Sequence, residues 1–195
     1  MRIFIAVLVL IFSLQSLTKA DDITDFEIDG MSIGDSLLDY LNKEEINEYL
    51  ERAFFYKDNK FADIFVMPKT KNTNYGMMQI SIKPEEKKHT IHAIGGQISY
   101  KNKISECYAQ KDEMGLDIDK MISKSTKVKR FDNEKHTYDK TGNSYTSSIY
   151  YFLENGSIDI QCYDWSKKLE ERYEDKLIIS FKSNEFRNFL INEAY

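Results

Sequence analysis

Only two prolines, two cysteines, one tryptophan and three histidines occur among the 195 residues. With so little proline, and with no low-complexity tract or internal repeat, nothing marks a linker, so residues 21–195 read as one domain long enough to bury a real core. No glycine-rich phosphate loop, dinucleotide fingerprint or C-x-x-C pair is present, and no cofactor is expected. A D-x-D-x-D-G calcium loop is also missing. The segment DKTGNS (residues 139–144) has the oxygen-rich composition of an ordinary turn. His89 and His92 lie three apart in a run read as strand, so they point to opposite faces and cannot share a zinc ion. The three histidines are expected to be scattered over the surface, and no metal site is expected.

Long apolar runs are missing too, except at the start. MRIFIAVLVLIFSLQSLTKA has a charged beginning at Arg2, an apolar stretch from Ile3 to Leu14 and small residues at Thr18 and Ala20. This is the pattern of a secretory signal peptide over residues 1–20, because the apolar stretch is shorter than the roughly 20 residues a spanning helix needs. After cleavage before Asp21 the product is expected not to span a membrane. An excess of positive charge is lacking as well. Without Arg2 and Lys19, 25 basic residues face 32 acidic ones, a net charge of −7. Such a surface repels phosphate backbones, so nucleic acid is not an expected partner. The one basic run, KVKR (residues 127–130), alternates with an apolar valine as a strand with a solvated face does.

What is present is patterned. Asn42 and Glu45 have the spacing of a capping box, and Ile46, Tyr49, Leu50 and Ala53 recur at helical intervals. Three strand-like runs follow: FADIFVM from Phe61, GMMQISI from Gly76 and TIHAIGGQISY from Thr90, the last with a bend or bulge expected at Gly95-Gly96. Residues 103–122 form a long helix with Ile104, Cys107, Tyr108, Met114, Ile118, Met121 and Ile122 in one stripe, interrupted by Lys111 and weakened by Gly115. Near the C-terminus come a short helix around Leu169 and Tyr173, the strand KLIISFK, and a helix capped by Ser183 with Phe186, Phe189 and Leu190 inward. Consecutive strands joined by hairpins predict an α+β fold with an antiparallel sheet packed against helices.

The run TSSIYYFLENGSIDIQCYDW (residues 146–165) contains Asn155-Gly156, the dipeptide of a two-residue hairpin turn with positive φ at both positions. That turn would pair Glu154 with Ser157, placing Leu153 opposite Ile158, Tyr151 opposite Ile160 and Ile149 opposite Cys162 on one face. Cys162 and Cys107 then point into the same core from independent patterns, which predicts a disulfide between helix and sheet. Tyr150, Phe152 and Tyr163 fall on the other face of the ribbon. They mark either a surface covered by a helix or an interaction face for a partner.

SIGDSLLDYL (residues 32–41) contains the letters of the GDSL serine hydrolases. Those enzymes need a D-x-x-H histidine near the C-terminus and oxyanion donors. Here no histidine has an aspartate three residues before it, and none lies in the last fifty residues. Asp35 as a helix N-cap, followed by Leu37, Leu38 and Leu41 on one buried turn, explains the same letters. Hydrolysis by Ser36 is the enzyme alternative; carriage of a small ligand is the other.

GMSIGDSLLDY (residues 30–40), ECY (106–108), NGSIDIQCYDWS (155–166) and NEAY (192–195) together resemble a family of small exported proteins from AT-rich marine alphaproteobacteria of the SAR11 type. The resemblance covers nearly all of residues 21–195. It brings no activity with it and implies a periplasmic location. The combined expectation is a periplasmic binding or envelope-accessory module whose partner is an unknown protein or small ligand.

Overall fold

The computed structural model describes residues 20–68, 75–124, 126–170 and 172–194. All but the last residue of the expected signal peptide lies outside them. Most of the longer strands form where apolar residues alternate, as in KLIISFKS (residues 176–183), whose burial alternates along its length. The first two, β1 (Glu27–Ile28) and β2 (Met31–Ser32), make a small hairpin. Its turn is Asp29-Gly30, with φ of 53° and 80°. A 3-10 turn, Leu37–Asp39, precedes helix α1 (Lys43–Leu50). The expected capping box is present there: Asn42 Oδ1 accepts from the Glu45 amide at 2.9 Å and Glu45 Oε2 from the Asn42 amide at 2.9 Å.

Eight strands then build one antiparallel sheet: β3 (Phe54–Phe55), β4 (Ala62–Val66), β5 (Met77–Ile82), β6 (Ala93–Ser99), β7 (Lys127–Lys135), β8 (Tyr145–Phe152), β9 (Gly156–Asp164) and β10 (Lys176–Ser183). Their spatial order is β3-β4-β5-β6-β10-β9-β8-β7. Two meanders each run from an outer edge to the centre and meet at the β6–β10 pair. Helix α2 (Ile104–Met121) carries the chain between them, and α3 (Asn184–Asn192) closes it. The expected α+β class with an antiparallel sheet is what forms.

One face of the sheet is the main core. Ile64, Ile80, Ile94, Phe181, Ile158, Tyr151 and Val128 lie directly opposite one another from β4 to β7. Helix α2 packs on this face, and Cys107 at its start is joined to Cys162 of β9 across 55 residues with a Cα–Cα distance of 6.1 Å. The stripe of α2 includes the two residues that broke it in sequence. Lys111 is only 4% exposed, its stem buried and its ammonium held by Asp112 and Asp132, both at 3.1 Å. Gly115 lies against Ile149, where an added Cβ would stand 2.6 Å from Cδ1. Met121, expected inward, is exposed.

The hairpin register differs from the expected one by two residues. Phe152 pairs with Ser157, Tyr151 with Ile158, Ile149 with Ile160 and Ser147 with Cys162. Neither Asn155 nor Gly156 has a positive φ; the loop is longer, with the Leu153 amide bonded to the Gly156 carbonyl at 2.9 Å. Asn155 instead holds the N-terminal segment, accepting from the Ile23 amide at 3.0 Å. A shift of two keeps every side chain on its face, so Cys162 still points inward. Gly95-Gly96 makes no bulge, since pairing runs unbroken through both. Gly96 leaves room for the Tyr75 ring, which an added Cβ would meet at 2.4 Å. Around Leu169 the chain forms turns rather than a helix.

Candidate ligand-binding site

The second face of the sheet is polar and only partly covered. Its residues alternate with those of the core. One row across it reads Asp63, Ser81, Ala93, Lys182, Ser157, Phe152, Lys127; the next reads Phe65, Gln79, Gly95, Ser180, Asp159, Tyr150, Lys129. Small residues in the middle of both rows, Ala93, Gly95 and Ser180, leave the floor low. Helix α3 sits across one end of this face. Ser183 caps it, accepting from the Phe186 amide at 3.2 Å, and Phe186 and Phe189 pack on Phe61 at centroid distances of 5.0 and 4.9 Å.

Beside α3 lie two adjoining cavities. The first, about 180 Å³, lies over Gly95 and Ser180 between Gln79, Gln97, Gln161 and Tyr163. The second, about 410 Å³, lies between Lys129, Phe152 and Arg187. Lys182 and Leu190 line both, and the ammonium of Lys182 is paired with Asp159. Tyr150, Phe152 and Tyr163, read from the sequence as either a helix-covered surface or an interaction face, all lie here and are half-buried. Gln161 connects the two tyrosines, its amide donating to the Tyr150 hydroxyl at 2.8 Å while the Tyr163 hydroxyl donates to its carbonyl at 3.3 Å. Burial pushes Tyr163 up to about 12 and raises Tyr150, so both hydroxyls stay protonated donors near neutral pH.

At the β4 end, Asp63 is buried beneath the face. Its carboxylate accepts from Tyr56 at 2.8 Å, Gln79 at 2.6 Å and Ser81 at 2.5 Å. Burial raises its pKa and outweighs these three donors, each of which favours the charged form. The network fixes Gln79, whose side chain lines the first cavity.

Sequence reasoning missed His92. The strand begins at Ala93, so His92 is not part of it, and the residue is 9% exposed instead of lying on the surface. Its ring meets the edge of Phe61 at 5.2 Å, with Glu185 at 3.4 Å and Glu86 at 3.7 Å. Burial lowers its pKa, and the two carboxylates oppose that shift. Among the described residues no group of three or more His, Cys, Asp and Glu side chains is placed to hold a metal ion.

Ser36 lies away from the cavities. It is Ser36, not Asp35, that caps the 3-10 turn: its hydroxyl accepts from the Leu38 amide at 3.3 Å and donates to the Lys88 carbonyl at 2.7 Å. Asp35 accepts instead from the Ser32 amide at 2.9 Å and the Tyr40 hydroxyl at 2.6 Å. Both of the Ser36 contacts are to backbone, and among the described residues no histidine bonds it.

The cavities could not have been found from single segments. Gly95 and Ser180 are neighbours only because the two meanders pair. No family model, no curated protein and no solved structure matches the chain.

Proposed function

We propose that the protein is an exported binding module of the periplasm that takes a small polar ligand on the outer face of its sheet. One observation carries the reading: the two cavities adjoin at Lys182 and Leu190 on the one sheet face that α3 leaves largely open. The wall of the first is made of the amides of Gln79, Gln97 and Gln161, the hydroxyls of Ser180 and Tyr163, and aromatic and apolar surface. Few, well-placed polar groups on an apolar ground are the usual make-up of a small-molecule site. These groups can donate and accept hydrogen bonds; Ser81, which also lines the cavity, donates to the buried Asp63 carboxylate, and no histidine stands in the lining to activate a serine, which favours binding over hydrolysis.

Export rests on the N-terminal pattern and is in keeping with the Cys107–Cys162 bond, a feature of oxidising compartments. No helix among the described residues is long and apolar enough to cross a membrane.

Amide chemical-shift screening against neutral saccharides and short peptides tests the binding face. Compounds that bind are expected to shift Gly95, Gln97, Gln161 and Ser180, and to lose binding in Ser180→Trp, where an indole fills the floor. Binding that maps to α2, or that survives Ser180→Trp unchanged, would contradict the assignment.

A further inference from the structure

We infer that the larger cavity, between α3 and the β7–β8–β9 end of the sheet, is a subsite for an organic anion: a carboxylate or phosphate carried on a small apolar body. The inference rests on the ligand-binding reading and names the chemistry of one end of that ligand.

Charge is the first ground. Residues 21–195 carry a net −7, yet the wall of this cavity holds Lys129, Lys182 and Arg187 against the single carboxylate of Asp159. Lys182 already occupies that carboxylate. Lys127 stands beside the cavity, and no carboxylate of the described residues is in ion-pair contact with Lys127, Lys129 or Arg187. Other lysines of the described residues, among them Lys101, Lys135 and Lys176, also stand without an ion pair, so what sets these three apart is where they gather.

Geometry is the second. All three cations converge on one ring, with Arg187 Cζ 4.8 Å, Lys129 Nζ 5.8 Å and Lys127 Nζ 5.9 Å from the centroid of Phe152. Two come from an edge strand and the third from a helix that follows a different strand, so local sequence does not account for the gathering. A cation–π contact at an exposed site returns only about 0.5–1 kcal/mol, and like charges held around one ring repel each other. An anion bound among them removes that repulsion. The planar fork of Arg187 suits a carboxylate or phosphate, which it can hold with two parallel hydrogen bonds.

The apolar surface is the third. Phe131 meets Tyr150 edge-on at 5.9 Å, and Leu190 and the exposed Ile191 complete the wall. A volume of about 410 Å³ falls in the range of roughly 300–1,000 Å³ typical of small-molecule sites. Lys129 and Arg187 line a concave, open site of small-molecule size beside α3, with Lys127 at its edge, which suits one small anion rather than an extended lipid surface. A soluble anion is therefore the occupant.

Isotope-labelled protein expressed from the full chain is titrated with phenyl phosphate and, separately, with phenol and inorganic phosphate, while amide shifts are followed. Cosedimentation with phosphatidylglycerol–phosphatidylcholine vesicles runs alongside. Phenyl phosphate is expected to shift the amides of Lys129, Tyr150, Phe152 and Arg187 saturably and to bind at least about tenfold more tightly than phenol or inorganic phosphate. Lys129→Gln with Arg187→Gln is expected to weaken it by about tenfold or more, with the remaining spectrum unchanged as the control for folding. An absence of shifts in the cavity, or equal binding by the double variant, would overturn the inference. Neutral compounds binding at Gln97 and Gln161 in the same protein would leave the wider reading intact. Vesicle binding that the double variant abolishes, without any phenyl phosphate shift, would replace the soluble anion with a membrane surface.

Discussion

Replacing Cys107 and Cys162 together by alanine should lower the unfolding free energy by about 4 kcal/mol, the chain-entropy value for a closed loop of this size. The loop spans 55 residues and includes all of β7 and β8, so the unfolded chain gains freedom across the whole outer half of the sheet. Both cysteines are fully buried between α2 and β9, and no other covalent tie joins the two layers, since no free cysteine remains. Urea denaturation of the oxidised parent and the double variant measures the difference. Coincident midpoints with equal slopes would show that packing of α2 alone holds the layers together. Because many natural domains have only about 5–15 kcal/mol of stability, the loss is large enough to unfold much of the population on mild heating.

Gly156→Ala is the second large effect, at about 3 kcal/mol, near the top of the usual cost of overpacking. An added Cβ would stand 2.5 Å from the Lys182 carbonyl oxygen and 2.7 Å from Ile23 Cβ. The carbonyl belongs to β10, paired with β9 through Lys182–Ser157 and Ser183–Gly156. It cannot retreat without opening the ladder. Gly30→Ala provides the contrast: nothing lies within 4 Å of its added Cβ, but its φ is +80°. Backbone strain there costs about 1–2 kcal/mol. If Asn155-Gly156 were a two-residue primed turn, the two glycines would respond alike. The structure predicts that thermal melting places Gly156→Ala clearly below Gly30→Ala.

That contrast also locates the limit of what the sequence discloses. The rule linking such dipeptides to a primed turn holds in this protein, but at Asp29-Gly30, at the end of the acidic segment DDITDFEIDG (residues 21–30). At Asn155-Gly156 a distant residue, Ile23, occupies the space, and the glycine serves close packing instead of a turn. The two-residue change of register left the alternation of β8 and β9 intact. That is why the inward cysteine, the disulfide and the shared face of Tyr150, Phe152 and Tyr163 were all legible.

Local patterns carried α1 with its capping box, the Ser183 cap of α3 and most strands, because each depends on neighbours within a few residues. They misplaced Lys111, whose charge reads as a solvated position although its stem is buried and its ammonium is satisfied by Asp112 and Asp132. The candidate site was the least legible part. Its floor needs Ala93 and Gly95 beside Lys182 and Ser180, and its second cavity needs Arg187 over Phe152. Each pairing joins residues more than thirty positions apart, so no window of sequence contains it.

Photo-crosslinking in intact envelope tests the central claim, that the outer sheet face is the binding face, most directly. A photoreactive residue is placed at Gln97 or Gln161 in the first cavity and, for comparison, at Leu116, which is 61% exposed on α2. Intact-mass analysis is predicted to find a reproducible small adduct at positions 97 and 161 and none at 116. Adducts of equal yield at all three positions, or a partner captured through 116 alone, would contradict it.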